Sequence, residues 1–84
     1  MDLVVHCRRS KYDVYIGRPS KWGNPFVIGK DGDRDTVIDR YRAWILTQPH
    51  LLAALPELKG KVLGCYCRPK ACHGDVLVQL STER

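Results

Sequence analysis

The residues best suited to chemistry in this 84-residue chain lie close together near its C-terminal end. Three of the four cysteines and one of the three histidines fall within nine residues, as Cys65, Cys67, Cys72 and His73. Thiols and imidazole rings act in proteins as nucleophiles, general bases and metal ligands. This segment is therefore the first candidate for a functional site.

The flanking sequence places these residues between a strand and a helix. The apolar run Val62–Cys67 predicts a buried strand, and Arg68 and Pro69 end it. Cys72-His73-Gly74-Asp75 then precedes an amphipathic run, Val76–Leu80, which predicts a helix. A strand, a short loop and a helix N-terminus form the arrangement in which open α/β sheets hold ligands.

Three interpretations of the cysteines remain open. The thiols are reduced and pack around a strand end, or they bind zinc, or one of them is a reactive group. A disulfide framework is a weaker fourth interpretation, because the clustering suits a reducing compartment. The Cys-x2-Cys pairs of ordinary zinc modules are absent, and adjacent Cys72 and His73 cannot easily bind one ion. We therefore expect no metal and no cofactor. A zinc site would draw on His6, Cys7, Cys65, Cys67, Cys72 and His73.

Cys72 is the candidate for a reactive thiol. A helix N-terminus carries partial positive charge, and Lys70 adds a cation nearby, so both favour a thiolate. We predict that the thiol of Cys72 is more acidic than those of Cys65 and Cys67, which lie on an apolar strand. Whether the protein is an enzyme stays open. The residues predicted to be catalytic, if it is one, are Cys72, His73 and Asp75.

A second informative segment, Ile16–Phe26, interleaves glycines, basic residues and aromatic rings. Its glycines allow close backbone approach, and Arg18 and Lys21 can hold a phosphate. Trp22 or Phe26 can stack on a base, and the same two rings can close the small core; the two roles are compatible, and we expect Trp22 to stack on the base. We expect a pocket where this loop meets the cysteine loop. The predicted ligand-binding residues are Gly17, Arg18, Ser20, Lys21, Trp22, Gly23, Asn24, Phe26, Cys65, Cys67, Lys70 and Gly74.

The hydrophobic pattern predicts an α/β fold with a small, mainly parallel, Rossmann-like sheet in a two-layer or three-layer sandwich. The strand ending at Cys67 is expected in the centre of the sheet, paired with Leu3–Cys7. A short strand is also expected at Val14–Gly17, and an edge strand at Pro25–Ile28. Because no linker or internal repeat interrupts the chain, residues 1–84 are expected to form one domain.

Two further helices are predicted before the central strand. The first is capped by Asp33 or Asp35 and continues to about Thr47, and the second spans His50–Leu58. Ser81–Arg84 is expected to fray. The first helix should bury the apolar positions that recur at spacings of three and four, namely Val37, Ile38, Tyr41, Trp44 and Ile45. Its solvated side is expected to carry Arg34, Asp35, Asp39, Arg40 and Arg42.

Composition limits the partners. The 14 basic and 9 acidic residues give a net charge of +5, which favours anionic ligands. Because the basic residues are spread over strand ends and loops, we expect a nucleotide-like small molecule before nucleic acid. A second copy of so small a chain can complete a pocket, so a homo-oligomer is also a possible assembly.

No apolar run approaches the about 20 residues that span a bilayer, and no signal or transit peptide is evident. We expect a cytoplasmic protein without a membrane partner.

Several motifs together resemble a known family. They are Tyr15-Ile16-Gly17-Arg18, Trp22-Gly23-Asn24-Pro25-Phe26, Leu58 to Cys67, Pro69-Lys70 and Cys72-His73-Gly74-Asp75-Val76-Leu77. In order and separation they are similar to domain of unknown function family 4326, a small family of phage and bacterial proteins. His6 and Cys7 fall outside the matching motifs. The family residues matched here are Gly17, Arg18, Trp22, Gly23, Asn24, Pro25, Phe26, Cys65, Cys67, Cys72, His73, Gly74 and Asp75.

The resemblance implies little about function, and would place a phage-encoded protein in the host cytoplasm. The cysteine strand followed by a Cys-His helix start also resembles other Rossmann-like families suspected of handling nucleotides. The favoured hypothesis is binding or processing of a nucleotide-derived small molecule, in nucleotide signalling or metabolism, with N-glycosidic or phosphoester cleavage if the protein is an enzyme. The alternative is a cysteine- or zinc-stabilised nucleic-acid or protein interaction module without catalysis.

Overall fold

The computed structural model describes residues 3–67 and 70–83. The predicted strand break at Arg68 and Pro69 therefore lies outside the described residues. The described part contains three strands, β1 (Val4–His6), β2 (Val14–Tyr15) and β3 (Leu63–Cys65). It also contains three α-helices, α1 (Arg34–Ile45), α2 (Pro49–Ala54) and α3 (Gly74–Glu83), and a 3-10 helix, Leu55–Leu58, which directly follows α2.

The three strands form one parallel sheet in the order β1-β3-β2. Val4 and Val14 both lie opposite Leu63, one on each side of the central strand. The predicted α/β class and the central position of β3 beside β1 are confirmed. The finer likeness to Rossmann folds stays a prediction. Because all three strands run in the same direction, their carboxyl ends meet at one edge of the sheet.

Residues 7–13 connect β1 to β2 and must pass over the central strand, because β1 and β2 flank β3. The ring of Tyr12 packs on β3 at Gly64, where an added Cβ would lie 2.6 Å from the Tyr12 Cγ. The absence of a side chain at Gly64 therefore allows the Tyr12 ring to approach the central strand closely. Leu63 and Cys65, on the opposite face of β3, are buried in the hydrophobic core.

Helix α1 begins where the sequence predicts a cap. Asp33 is the N-cap, and its Oδ1 accepts a hydrogen bond from the backbone N–H of Thr36 at 2.9 Å. This hydrogen bond holds the pKa of the Asp33 carboxyl below its usual value. The predicted apolar stripe is buried at Val37, Tyr41 and Ile45, and is partly buried at its remaining positions. The helix ends at Ile45, two residues earlier than predicted.

Other boundaries also differ from the prediction, including those of β1 and β2, which are shorter than the predicted Leu3–Cys7 and Val14–Gly17. Pro25–Ile28 forms turns instead of an edge strand, and the side chain of Asp31 accepts from the backbone N–H of Val27 at 2.8 Å. Strand β3 is shorter than the apolar run. The second helix changes to 3-10 geometry at Leu55, because Pro56 has no N–H to continue α-helical bonding. The predicted fraying of the tail is wrong up to Glu83, since α3 continues to that residue and buries Ser81.

The core is one cluster of buried side chains around β3. It joins β1 and β3 to the apolar faces of the helices, with Tyr41 and Leu77 among its fully buried members. Within residues 3–67 and 70–83, no helix is both long enough and apolar enough to cross a bilayer.

Candidate functional site

A cavity of about 390 Å³ opens at the carboxyl edge of the sheet. Parallel sheets commonly hold ligands at this edge, since loops and helix N-termini converge there. Both loops predicted from the sequence contribute to its wall, as does the first part of α1. The residues of these three segments that line the cavity are Gly17, Arg18, Asn24, Phe26, Arg34, Val37, Ile38, Cys65, Tyr66, Cys67, Ala71, Cys72 and His73.

Three thiols meet at the floor of this cavity. The sulfur atoms of Cys65, Cys67 and Cys72 all lie within 4.8 Å of one another, and those of Cys65 and Cys72 are 3.0 Å apart. Cys65 and Cys67 share a face because side chains alternate along an extended chain. The start of α3 adds Cys72. Cys65 and Cys72 are buried and Cys67 is half-buried. Cys7 is not part of this group.

The first turn of α3 fixes the position of Cys72. The backbone N–H of Cys72 donates to Oδ2 of Asp75 at 3.2 Å, and the N–H of Gly74 points to the Cys72 sulfur at 3.3 Å. A Cβ on Gly74 would lie 2.8 Å from the side chain of Ile16, so the glycine lets the helix pack closely against the sheet edge. Asp75 and Gly74 therefore organise the helix start.

His73 is buried beside the thiols, with its tautomer set by a carbonyl group. Its Nε2 lies 2.8 Å from the backbone oxygen of Ile16. Because a carbonyl can only accept, Nε2 carries the proton, and Nδ1 faces the Cys72 sulfur at 3.5 Å as an acceptor. Burial lowers the pKa of His73, and the Ile16 carbonyl and the nearby Cys67 only partly offset this effect. The site therefore favours the neutral imidazole.

The order of thiol acidity differs from the one predicted. Hydrogen bonds from Cys65 and Cys72 hold the pKa of Cys67 well below its usual value, and Arg34 adds to the effect. The same contacts with Cys65 and Cys67, together with burial, raise the pKa of Cys72. Negative charge is thus favoured on the most exposed of the three sulfurs. The helix N-terminus predicted to acidify Cys72 is outweighed by these neighbours.

Arg34 lies in the cavity wall, although the sequence pattern placed it on the solvated side of α1. The residue is half-buried, and its Nη1 donates to the carbonyl of Ala71 at 3.0 Å. With Arg18 it gives the cavity two guanidinium groups. One sequence signal was available, because a helix dipole disfavours a cation in the first turn. An arginine directly after the Asp33 cap therefore indicates a role outside the helix.

Trp22 does not face the cavity. Its side chain belongs to the core with 2% of its surface exposed, and its carbonyl accepts from the hydroxyl of Tyr41 at 2.7 Å. The prediction that Trp22 stacks on a base is wrong, and the alternative that it closes the core is confirmed. Lys21 lies outside, 3.4 Å from Glu57 and over the Trp22 ring. The cavity wall does not include the predicted residues Ser20, Lys21, Trp22, Gly23, Lys70, Gly74 and Asp75.

Asn24 lines the cavity, but both ends of its amide group are already bonded. Its Oδ1 accepts from the backbone N–H of Phe26 at 2.9 Å, and its Nδ2 donates to the carbonyl of Val37 at 3.2 Å. The side chain therefore ties the loop to α1 and shapes the wall. Phe26 presents its ring beside this tie, with Arg40 at 5.9 Å from the ring centroid.

Two aromatic wall residues were missed by the sequence analysis. Tyr15 ends β2 and Tyr66 directly follows β3, and their rings meet edge to face at 6.1 Å. Tyr66 is 56% exposed and also packs against His6. Their position in the sequence could have indicated a place in the cavity wall, since both residues lie at the carboxyl ends of parallel strands.

Comparison with known proteins confirms the resemblance drawn from the motifs. The family model described as "Domain of unknown function (DUF4326)" matches residues 5–83. "Uncharacterized protein R718" of Acanthamoeba polyphaga mimivirus is 37% identical over an alignment of 97 positions, which covers 94% of this chain and 70% of that protein. "Uncharacterized 12.4 kDa protein in nrdA-td intergenic region" of Enterobacteria phage T4 is 37% identical over an alignment of 86 positions, which covers 92% of this chain and 74% of that protein. No solved structure matches the chain significantly.

Proposed function

The chain belongs to the DUF4326 family, and we propose from its cavity that it binds a nucleotide-derived small molecule. One observation carries the proposal, namely that two guanidinium groups and several aromatic rings line one cavity at the carboxyl edge of a parallel sheet. Its volume, about 390 Å³, falls within the range of about 300–1,000 Å³ typical of small-molecule sites.

The two kinds of wall group suit the two parts of a nucleotide. Arg18 and Arg34 offer planar, permanently charged forks that match phosphate oxygens. Tyr66 and Phe26 offer the ring faces on which a base can stack. These rings take the role that the sequence analysis gave to Trp22, and Arg34 takes the role given to Lys21.

The thiols and His73 supply groups for processing the ligand as well as binding it. The unprotonated Nδ1 of His73 lies 3.5 Å from the Cys72 sulfur, which is the relation of a base to a nucleophile. Cleavage of an N-glycosidic or phosphoester bond is the reaction class this arrangement supports. Asp75 contributes by holding the backbone of Cys72.

Calorimetric titration with nucleoside monophosphates and with the matching nucleosides tests the binding proposal. We expect the nucleotides to bind and the nucleosides to bind at least about 10-fold more weakly, because a hydrogen bond to a charged group contributes about 1.5–3 kcal/mol. Arg34→Ala should weaken nucleotide binding by a similar factor. Arg9→Ala is the matched control, because Arg9 is exposed and lies outside the cavity. Equal affinity for nucleotide and nucleoside, or an equal loss in the control, would contradict the proposal.

A nucleic-acid module is the second candidate, supported by the surface of the crossover connection. Arg8, Arg9 and Lys11 are exposed there, beside the exposed ring of Tyr12. The Arg8 guanidinium lies 5.8 Å from the ring centroid of Tyr66. Cations interleaved with exposed rings are typical of surfaces that bind single strands.

Fluorescence anisotropy with a short single-stranded oligonucleotide distinguishes the two candidates. The cavity proposal predicts that the oligonucleotide binds weakly. The double variant Arg8→Ala with Lys11→Ala should not change the affinities for the oligonucleotide and for mononucleotides in parallel. The nucleic-acid module would be favoured if the oligonucleotide binds tightly and mononucleotides fail to bind. In that case the double variant should lose oligonucleotide binding, and Arg34→Ala should leave it unaffected.

A further inference from the structure

We propose that Cys65, Cys67 and Cys72 bind one thiophilic divalent ion, of which zinc is the best fit, with its fourth coordination position open to the cavity. The ion site goes beyond nucleotide binding, and with the ion bound Cys72 acts as a metal ligand and not as a nucleophile. The three thiols converge from two separate elements, the end of β3 and the start of α3, onto a common point.

The spacing of the sulfur atoms suits such an ion. All three lie within 4.8 Å of one another. In a tetrahedral site with zinc–sulfur bonds of about 2.3 Å, neighbouring sulfurs stand about 3.8 Å apart. The Cys65 and Cys72 sulfurs, at 3.0 Å, need to separate by less than about 1 Å to reach that geometry.

The ligand set removes both objections that the sequence raised against zinc. The site does not need His73, so adjacent residues do not have to bind the same ion. It also does not need a Cys-x2-Cys knuckle, because alternation along the extended chain puts Cys65 and Cys67 on one face. The third sulfur comes from a different element. We therefore replace the expectation of no metal with a three-thiolate site.

The surroundings compensate the charge that such a site carries. Three thiolates and one divalent cation leave a net charge of −1. The backbone N–H of Gly74 points to the Cys72 sulfur at 3.3 Å, from the positive end of α3. The guanidinium of Arg34 lies in the same wall, on the side of Cys67. Outer groups of this kind orient thiolate ligands and stabilise their charge.

The open position distinguishes this site from a purely structural one. Structural zinc sites use four protein ligands, whereas catalytic sites use three and leave a position for water or substrate. All three cysteines line the cavity, so a fourth ligand would enter from the space between Arg18 and Arg34. An oxygen-donor anion held by these arginines, or a water molecule, has the chemistry to complete the coordination.

Cobalt titration of the reduced, metal-free full chain tests the site directly. Thiolate-to-cobalt charge-transfer bands and intense tetrahedral d–d bands should rise to one ion per chain, and zinc should displace the cobalt. Cys67→Ser should weaken cobalt binding by more than about 100-fold, because loss of an outer partner alone costs about 10- to 100-fold. Cys7→Ser is the matched control, since Cys7 lies outside the cluster. Absence of the bands, or an equal loss in both variants, would overturn the proposal.

Two further measurements keep the test independent of folding and of the nucleotide proposal. Zinc should protect Cys65, Cys67 and Cys72 from alkylation in the unmutated protein and leave Cys7 labelled. Labelling of all four in excess zinc would overturn the site.

In the cobalt form, added inorganic phosphate should shift the d–d bands, and Arg34→Ala should reduce that shift while keeping the one-to-one cobalt stoichiometry. Unchanged bands at saturating phosphate would overturn the open position.

Discussion

The loop of residues 17–26 and the cysteine segment of residues 65–75 both carry unusual residue combinations, but they build the cavity in different ways. In the cysteine segment, the sulfur atoms themselves line the cavity. In the loop, the most conspicuous side chains are structural, since Trp22 fills the core and Asn24 bonds two backbone groups. A large aromatic or amide side chain can satisfy packing as well as recognition. A cluster of three thiols has little packing reason to converge, so its position is the stronger indicator of function.

The largest expected effect tests Trp22 as an anchor. Trp22→Ala should lower the free energy of unfolding by about 3–5 kcal/mol, because truncating a buried tryptophan leaves a cavity in the core. Phe26→Ala, in the same loop but only partly buried, should lower it by less than about 1.5 kcal/mol and weaken nucleotide binding instead. Urea denaturation of both variants gives the comparison. Similar losses of stability would show that the two rings do not have separate roles.

Tyr41 provides the next test, because its hydroxyl ties the loop to α1. Tyr41→Phe leaves the Trp22 carbonyl without its donor and should cost about 1–3 kcal/mol at pH 7. Burial raises the pKa of the Tyr41 phenol, so the unfolded chain loses this proton first, and the contribution to stability falls as pH rises above about 10. The difference between wild type and Tyr41→Phe should therefore shrink above that pH. Tyr12→Phe, with an exposed ring, is the control and should change little at either pH.

The regular parts of the fold were predictable because they depend on local patterns. The spacing of Val37, Tyr41 and Ile45 predicts one buried face, and Asp33 supplies a side chain suited to cap the start of the helix. The apolar run around Leu63 needs cover on both faces, which predicts a central strand. The first-turn position of Arg34 indicates a role outside the helix, but its partner was not predictable, because the carbonyl of Ala71 lies far along the chain.

The candidate site was also predictable only where it depends on local patterns. Alternation along a strand predicts that Cys65 and Cys67 share a face, and a helix start predicts the placement of Cys72. The distances among the three sulfurs depend on how α3 packs against the sheet edge, and no local pattern encodes that contact. The sequence predicts a ligand-stacking role for Trp22 because an aromatic ring in a polar loop suits stacking and core packing alike. Only the position of Tyr41, whose hydroxyl donates to the Trp22 carbonyl, decides between these two roles.

Asn24 allows a smaller test of how the loop is held. Asn24→Ala removes two hydrogen bonds to backbone groups and should lower the free energy of unfolding by about 1–2 kcal/mol. Asn24→Asp keeps the acceptor for the Phe26 N–H and loses the donor to Val37, so an intermediate loss is expected. Thermal unfolding of the two variants measures the order. An Asp variant less stable than the Ala variant would contradict the structural role of the acceptor.

The smallest effect on stability is expected at Cys67, where chemistry and packing separate most clearly. Cys67 is half-buried, so Cys67→Ser should change the free energy of unfolding of the metal-free protein by less than about 1 kcal/mol. Its exposure and its lowered pKa should nevertheless make it the first of the three cavity thiols to react with iodoacetamide near pH 7. Partial alkylation of the reduced, chelator-treated chain, mapped by mass spectrometry, gives the order.

Cys72 is buried, and its raised pKa keeps it as a thiol, so it should label late despite standing at the start of a helix. Labelling of Cys72 before Cys67 would show that the helix N-terminus outweighs burial and neighbouring sulfurs, and would restore Cys72 as the reactive group that the sequence alone predicts.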